Sequence, residues 1–124
     1  FPRAILDAAR AGRPLRVVDD QVGCPTMTVD LAAALLDLSE SGAAPGIYHA
    51  ANRGHTSWRD FAVELLRQAG VAVEVASMSS AELDRPAPRP AWSVLDCTKL
   101  TAVRGAPLPT WQDALARWLA EESR

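Results

Sequence analysis

The chain has 124 residues, 48% of them apolar, which allows one domain, residues 1–124, with a core built largely of Leu, Val and Ala. Acidic and basic residues are interspersed and sum to a formal charge of −2, so no Lys/Arg block marks a nucleic acid or an anionic membrane as a partner. The two cysteines, Cys24 and Cys97, lack metal-ligand spacing and are too few for a disulfide framework.

The cysteine usage also favours a reducing compartment, and we expect a cytoplasmic protein. No apolar run approaches the roughly 20 residues of a membrane span, and the first residues lack a signal-peptide pattern. The chain starts at Phe1 rather than Met, and its first residues read like the middle of a helix. We therefore expect the sequence to be a fragment of a longer protein.

The first predicted elements are a helix and a strand. Residues 3–11 carry apolar side chains at helical spacing, and Gly12 is placed to end that helix. Leu15–Val18 is a short apolar run with β-branched residues, which is typical of a strand.

A polar loop then leads into a second helix over residues 29 to about 39. We expect Gly23 to adopt backbone angles closed to other residues, Pro25 to stiffen the loop and Thr28 to be the helix N-cap. The predicted apolar face of the helix consists of Leu31, Leu35 and Leu38, flanked by Ala32 and Leu36. A strand, a rigid loop and a capped helix hold loop groups at fixed positions, as ligand sites in α/β proteins require.

The middle of the chain predicts two further strands around a third helix. Residues 46–52 and 71–75 have the composition of strands. Between them, Ser57 and Asp60 resemble a capping box. The helix that follows has one apolar face, made of Trp58, Phe61, Ala62, Leu65, Leu66 and Ala69.

The last part predicts turns, a strand and two helices. Residues 79–83 fit a single capped helical turn, and residues 84–90 contain three prolines and must form a shaped loop. Residues 92–95 are strand-like, Asp96 can cap a helix over residues 97 to about 104, and Gly105 can end it. Thr110 caps a final helix with one face made of Trp111, Ala114, Leu115, Trp118 and Leu119. The sequence thus predicts an α/β fold with short strands and four to five helices.

Several motifs, in this order along nearly the whole chain, resemble those of one family. They are residues 20–26, residues 46–49, residues 56–58 with Phe61 and Ala62, Arg89–Pro90 followed by residues 93–96 and Lys99–Leu100, and Pro109 with Trp111. The chain is similar to the C-terminal part of the dTDP-4-dehydrorhamnose reductase family, extended short-chain dehydrogenase/reductases that act on sugar nucleotides. The resemblance implies the substrate-binding portion of an extended Rossmann-type reductase. It also implies a dTDP-linked deoxysugar as ligand, a possible homodimer, and NADPH or NADH as cofactor of the full-length enzyme.

The chain lacks two motifs that the family uses. The family binds NADPH through a Gly-x-x-Gly-x-x-Gly turn, and none of the seven glycines here has that spacing. Its catalytic pair is Tyr-x-x-x-Lys, whereas the single tyrosine, Tyr48, is followed four residues later by Asn52. We therefore expect no catalytic or cofactor-binding residue in this chain, and no activity of the chain alone. Two alternatives stay open: another extended reductase or epimerase acting on a nucleotide sugar, and a non-catalytic regulatory or binding module of the same family.

The resemblance also implies six substrate-binding residues: Gln21, Gly23, Pro25, Thr26, Arg89 and Trp92. The first four match a Gln-x-Gly-x-Pro-Thr loop that lies beside the sugar-nucleotide cleft in the family. Gln21 can bond a sugar hydroxyl, and Thr26 can bond a phosphate or sugar oxygen. The alternative is that these loop residues, Gly23 and Pro25 above all, only shape the turn.

The remaining candidates carry alternatives of their own. Arg89 has a planar fork suited to a diphosphate, or it forms a structural pair with Asp96 or Glu82. Trp92 can stack on thymine or belong to the core, which is where we expect Trp58 and Trp118. His49 and His55 have no carboxylate or cysteine at ligand spacing, so no metal site is predicted.

Overall fold

The computed structural model describes residues 1–83 and 86–122, and its chain divides into two compact units. Unit 1 consists of Phe1–Gly23 and Thr56–Ser93, and unit 2 of Cys24–His55 and Val94–Arg124. The expectation of one domain over residues 1–124 stays a prediction.

Helices and short strands make up both units, which confirms the predicted α/β class. The helices are α1 (Pro2–Arg10), α2 (Thr28–Glu40), α3 (Trp58–Gln68), α4 (Thr98–Arg104) and α5 (Trp111–Glu122). The strands are β1 (Leu15–Val18), β2 (Val22–Gly23), β3 (Thr56–Ser57) and β4 (Val75–Met78), and a 3-10 helical turn covers Ser80–Glu82. In the described part of the chain, no helix combines the length and the apolar composition that crossing a bilayer requires.

Unit 1 is built on two strand pairs. Strands β1 and β4 run parallel, with Leu15 opposite Val75 and Val18 opposite Met78, while β2 and β3 pair antiparallel. Helices α1 and α3 pack against each other and against β1. The core between them is made of Ile5, Leu6, Ala9, Leu15, Val17, Val18, Phe61, Ala62, Leu65, Leu66 and Val75.

Helix α3 begins where the sequence predicts. The Ser57 hydroxyl accepts a hydrogen bond from the Asp60 backbone N–H at 3.0 Å, which satisfies one of the free amides of the first turn. The prediction that Trp58 is a core residue is wrong, because 40% of this residue is exposed. Its ring instead meets the Phe1 ring edge to face, with 5.0 Å between the centroids.

Residues 71–75 do not form the predicted strand, which begins only at Val75. Helix α3 ends with Gly70 in a left-handed conformation at φ +67°, and the Val71 N–H donates to the Leu66 carbonyl at 2.9 Å. This bond belongs to the end of the helix, so the Val71 amide cannot join a sheet. Strand β4 therefore starts later and runs through Met78.

The strands predicted over residues 46–52 and 92–95 are also wrong. Residues 46–52 have no strand neighbour, and the Asn52 N–H donates to the Thr26 hydroxyl at 3.2 Å instead. In the second segment a single bridge joins Trp92 to Val22. Apolar composition alone does not make a strand, because the backbone must also find a partner.

Helix α2 exposes part of the face that the sequence predicts to be buried. Leu35 is 55% and Leu36 62% exposed, whereas Asp30 and Ala34 are buried. The predicted cap is also displaced, since Met27 rather than Thr28 precedes the first helical residue. The Met27 N–H donates to the Asn52 side chain at 2.7 Å.

A hydrogen-bonded network in unit 2 explains this rotation of α2. The Asn52 amide is buried and donates to Asp30 at 2.7 Å and to the Pro109 carbonyl at 3.0 Å. The Arg117 guanidinium donates to the same Asp30 oxygen at 2.6 Å. Arg117 first, and Asn52 after it, hold the pKa of Asp30 below its usual 3.8 although burial acts to raise it. Turning Asp30 outward would break these bonds. The bonds of Asp30, rather than the apolar stripe, therefore determine which face of α2 is buried.

The ends of α4 and α5 follow the sequence closely. Gly105 ends α4 in the left-handed region at φ +75°. The Asp96 carboxylate accepts from the Thr98 N–H at 2.8 Å, although Cys97 occupies the cap position. Thr110 accepts from the Asp113 N–H at 3.2 Å and caps α5, where Trp118 is half-buried rather than fully in the core.

Residues 84 and 85 of the predicted proline-rich loop lie outside the described residues. Its remaining residues, 86–90, form neither helix nor strand, as three prolines require. The predicted capped turn over residues 79–83 is confirmed as the Ser80–Glu82 turn, in which the Ser79 N–H donates to Glu82 at 2.9 Å.

The difference between α3 and α2 can be measured. Leu65 is fully buried, so Leu65→Ala should lower the free energy of unfolding by roughly 2–5 kcal/mol in urea titrations. Leu36 is 62% exposed, so Leu36→Ala should cost less than about 1 kcal/mol. Equal losses would show that α2 buries the face that the sequence predicts.

The contribution of Asp30 should depend on pH. At pH 7, Asp30→Asn should lower the free energy of unfolding by roughly 1.5–3 kcal/mol, since a hydrogen-bonded buried charge is lost. Because folding lowers the pKa of Asp30, its contribution is complete above about pH 3.8 and is lost as the pH falls through the folded value.

Urea titrations from pH 2 to 7 should therefore bring the wild-type and Asp30→Asn curves together at acid pH. The control is Asp37→Asn in the same helix, whose half-exposed carboxylate pairs with Arg104 and should contribute less than about 1 kcal/mol. A constant difference between wild type and Asp30→Asn at every pH would contradict the charge-based account.

Candidate functional site

A cavity of about 280 Å³ lies in unit 1 beside β1. Most of its wall is apolar and comes from Phe1, Ile5, Val17, Val18, Trp58, Met78 and Leu83. Its polar side chains are Arg16, Gln21 and Arg89. A mainly apolar wall with a few polar groups is typical of a small-molecule site, and the volume lies just below the ~300–1,000 Å³ range for such sites.

Gln21 is held in the cavity wall by a neighbouring turn. The residue is 8% exposed, and its Nε2 donates to the Ser80 hydroxyl at 2.7 Å. Ser80 in turn donates its hydroxyl hydrogen to Asp20 at 2.6 Å, and its backbone N–H donates to the same carboxylate. These bonds, the hydroxyl's first, lower the pKa of Asp20, which therefore stays ionised at neutral pH.

The two arginines of the cavity differ in whether a carboxylate pairs with their charge. Arg16 forms an ion pair with Glu82, a carboxyl whose pKa is lowered first by the Ser79 N–H and then by Arg16. Arg89 is exposed and makes no hydrogen bond or ion pair within the part of the chain that the structure describes. Neither of its predicted structural pairs forms, since Glu82 pairs with Arg16 and Asp96 accepts from Thr98.

Gly23 and Trp92 lie on the same short stretch of backbone pairing in unit 1. Gly23 does not have the positive φ that the sequence predicts, and that expectation is wrong. Its lack of a side chain matters for space, because a Cβ would come within 3.0 Å of the Ser93 hydroxyl. Trp92 is 62% exposed and so is not a core residue, while the Val22 N–H donates to the Ala91 carbonyl beside it at 2.8 Å.

Pro25 and Thr26 belong to unit 2, where Thr26 shapes the backbone. Its hydroxyl donates to the Cys24 carbonyl at 3.0 Å and accepts from the Asn52 N–H at 3.2 Å. Pro25 is half-buried. The donor hydrogen of Thr26 is thus committed to the loop, which is the turn-shaping alternative for this residue.

The cavity brings together two of the six predicted site residues, Gln21 and Arg89. Sequence reasoning missed Arg16 and Ser80, which the structure places at the same wall or behind it. For Arg16 a signal existed, because a charged residue between Leu15 and Val17 must point to the other face of the strand. Ser80 carried no such signal, since its partners lie about sixty residues away in the sequence.

Tyr48 and Lys99 do not form the hydroxyl–ammonium pair of a proton donor. The Tyr48 hydroxyl donates to the Ala44 carbonyl at 2.8 Å, and the Lys99 ammonium lies over the tyrosine ring, 4.0 Å from its centroid. A lysine over the ring face does not assist a proton transfer at the hydroxyl, so this pair is structural.

Burial raises the pKa of the Cys97 thiol. Within residues 1–83 and 86–122, no three His, Cys, Asp or Glu side chains are grouped to hold a metal ion.

Known proteins resemble the whole of this chain. The family model described as the RmlD substrate binding domain matches residues 1–124. A dTDP-4-dehydrorhamnose reductase from Streptomyces griseus is 47% identical over 104 residues, which is 80% of this chain and 34% of the relative. The spore coat polysaccharide biosynthesis protein SpsK from Bacillus subtilis is 37% identical over 123 residues, 99% of this chain and 42% of the relative.

A solved structure shows the same fold. The crystal structure of dTDP-4-dehydrorhamnose reductase from Bacillus anthracis, in complex with NADP, matches 98% of this chain and 43% of its own length. The TM-score is 0.88 and the sequence identity 29%. The chain spans less than half the length of each of these relatives. Because the family model covers every residue, the chain belongs to the RmlD substrate binding domain family.

Proposed function

We propose that this chain is the sugar-nucleotide-binding part of an NADPH-dependent dTDP-4-dehydrorhamnose reductase, and that it is inactive alone. The full enzyme would reduce the C4 carbonyl of dTDP-6-deoxy-L-lyxo-4-hexulose to give dTDP-L-rhamnose. The observation that carries the proposal is the cavity of unit 1, which both Gln21 and Arg89 line. Family membership and the names of the relatives support it.

Arg89 is the group best suited to a nucleotide diphosphate. Its guanidinium presents several N–H donors in a plane that matches phosphate oxygens. The charge of Arg16 is already neutralised by Glu82, so Arg89 provides the positive potential that an anion would meet in this cavity. In a chain with a net charge of −2, such a local cation decides where a dianionic ligand can bind.

The other contacts suit the sugar and the base. Gln21 donates one amide hydrogen to Ser80, and its carbonyl oxygen can accept a hydrogen bond from a sugar hydroxyl. The exposed Trp92 offers an aromatic face for thymine. The apolar part of the wall, with Phe1 and Trp58, matches the methyl group of a 6-deoxysugar. In this proposal Gly23, Pro25 and Thr26 shape the backbone that presents these groups.

The chain's task would be to hold the diphosphate and orient the sugar, which lowers the entropic cost of the reaction. NADPH supplies the hydride in the full-length enzyme, and NADH stays an alternative. Because the sequence lacks the Gly-x-x-Gly-x-x-Gly spacing and the chain spans less than half of its relatives, we propose that the cofactor is bound mainly by another part of the full-length enzyme. A cytoplasmic location, a possible homodimer and the lack of a nucleic-acid partner stay predictions.

A second candidate is a related protein with a different ligand or without catalysis. The relative from Bacillus subtilis, which matches 99% of this chain, is named for spore coat polysaccharide biosynthesis rather than for a reductase. That name specifies no reaction, so two alternatives stay open: another extended reductase or epimerase acting on a nucleotide sugar, and a non-catalytic regulatory or binding module of the same family. The ligand distinguishes the first of these alternatives, and NADPH-dependent turnover of the full-length protein distinguishes the second.

Calorimetric titration of the chain with dTDP, dTDP-L-rhamnose, UDP-glucose and GDP-mannose should give the tightest binding to a thymidine nucleotide. Arg89→Ala should weaken the binding of dTDP-L-rhamnose by roughly 10- to 100-fold, since a charge-assisted hydrogen bond to phosphate is lost. Arg10→Ala is the matched control, because Arg10 is exposed on α1 in the same unit and does not line the cavity, and it should change affinity less than about twofold.

Preference for a non-thymidine nucleotide would contradict the proposed substrate. Equal effects of the two arginine substitutions would contradict the role of Arg89. If the full-length protein binds dTDP-L-rhamnose but never oxidises NADPH with the keto sugar, the binding-module alternative is the correct one.

A further inference from the structure

The Ser80–Glu82 turn contacts two of the three polar side chains in the cavity wall. Ser80 accepts the hydrogen bond from Gln21, and Glu82 forms the ion pair with Arg16. The sequence explains this turn only as a capped helical turn, and the proposed function uses its bonds to Gln21 and Arg16 without giving the turn a role in ligand selection. Its position behind both polar groups indicates that it does more than end a strand.

The hydrogen bonds of Ser80 leave one possible orientation for the Gln21 amide. A serine hydroxyl has one hydrogen, and here that hydrogen goes to Asp20 at 2.6 Å. The hydroxyl can therefore only accept from Gln21, so the atom that faces Ser80 must be the Nε2 donor. A flipped amide would place its carbonyl oxygen against a hydroxyl oxygen without a hydrogen between them.

Asp20 keeps this arrangement in place. Its carboxylate accepts from both the hydroxyl and the backbone N–H of Ser80. The Ser80 backbone nitrogen lies 3.0 and 2.9 Å from the two carboxylate oxygens. Asp20 and Gln21 are neighbours in the chain and both bond Ser80, so the peptide bond and the hydrogen bonds together close a ring of three residues. An ionised carboxylate accepts but never donates, and the direction of every bond in the set follows from its charge.

We propose that Ser80 and Asp20 are positioning residues that turn the Gln21 carbonyl oxygen toward the ligand and so select a sugar that carries a hydroxyl at that point. The inference rests on the proposed function, in which Gln21 contacts the sugar. If its hydrogen-bond partners fix the Gln21 amide, its carbonyl oxygen can accept from a sugar hydroxyl without reorganisation. A sugar that has no hydroxyl at that point leaves this oxygen without a partner, which costs binding free energy. A freely rotating amide would make no such distinction.

A double-mutant cycle on the affinity for dTDP-L-rhamnose tests this role. Ser80→Ala and Gln21→Ala should each weaken binding about fivefold, the usual effect of one neutral hydrogen bond. The double variant should bind no more weakly than Gln21→Ala, because Ser80 acts only through Gln21. Ser80→Thr keeps the hydroxyl and should restore wild-type affinity. If the losses of the two single variants multiply, Ser80 acts independently and the inference is wrong.

A second variant and a control protect the test from a folding defect. Asp20 is exposed, so Asp20→Asn should fold normally and still weaken binding, because the Asn amide can donate to Ser80 and free the direction of its hydroxyl. Ser77→Ala removes a serine bonded to the neighbouring Asp19 and should leave the affinity unchanged. An unchanged affinity of Asp20→Asn, or a loss in Ser77→Ala equal to that in Ser80→Ala, overturns the inference.

The proposed function and this inference can fail separately. If the wild-type chain binds no nucleotide sugar, both are wrong. If the wild type binds dTDP-L-rhamnose and Arg89→Ala weakens it, but Ser80→Ala does not, only the inference is wrong. In the ligand-free chain, nuclear magnetic resonance of the Gln21 side-chain amide should show two well-separated Nε2 protons that move toward free-amide positions in Ser80→Ala, and no movement also overturns it.

Discussion

A buried side-chain amide costs free energy when its polar groups lack partners, and the hydrogen bonds of two such amides, Asn52 and Gln21, join segments that lie far apart in this chain. In unit 2, Asn52 binds Asp30, Pro109 and Met27, and so joins the start of α2 to the segment before α5. In unit 1, Gln21 binds Ser80, and so joins the loop after β1 to the turn after β4. Leaving either amide without partners would cost roughly 1–3 kcal/mol for each buried group. In α2 a polar contact, that of Asp30, decides which face of the helix is buried, whereas α3 buries its apolar face.

The Gln-x-Gly-x-Pro-Thr motif has different roles along its length. Its first residues belong to unit 1, where Gln21 lines the cavity and Gly23 leaves room for Ser93. Its last residues belong to unit 2, where the Thr26 hydroxyl bonds Cys24 and Asn52. A motif that matches a family as a whole can therefore contain both cavity-lining residues and residues that bond only the backbone. Only the hydrogen-bond partners of each side chain separate the two kinds.

The sequence predicts those features whose causes lie within a few residues. The caps at Ser57 and Thr110, the end of α4 at Gly105 and the apolar face of α3 all depend on neighbours in the same turn of helix. The buried face of α2 depends on Arg117, which lies 87 residues from Asp30, and no local pattern reveals it. Local patterns do not reveal the contacts at the cavity either, because Ser80 lies 59 residues from Gln21 and Glu82 lies 66 residues from Arg16. Family resemblance supplied Gln21 and Arg89 as candidates, but the bond from Gln21 to Ser80 and the pair of Arg16 with Glu82 required the structure.

The closed set of Asp20, Ser80 and Gln21 has a consequence for how such proteins diverge. Asp20 is at the surface and its neighbour Gln21 is not, so a change at Asp20 meets few packing constraints. Through Ser80, however, such a change can reverse the polarity of a buried amide. If Gln21 contacts the sugar as proposed, a mutation at a position that is open to water can alter sugar selection without changing any residue of the cavity wall.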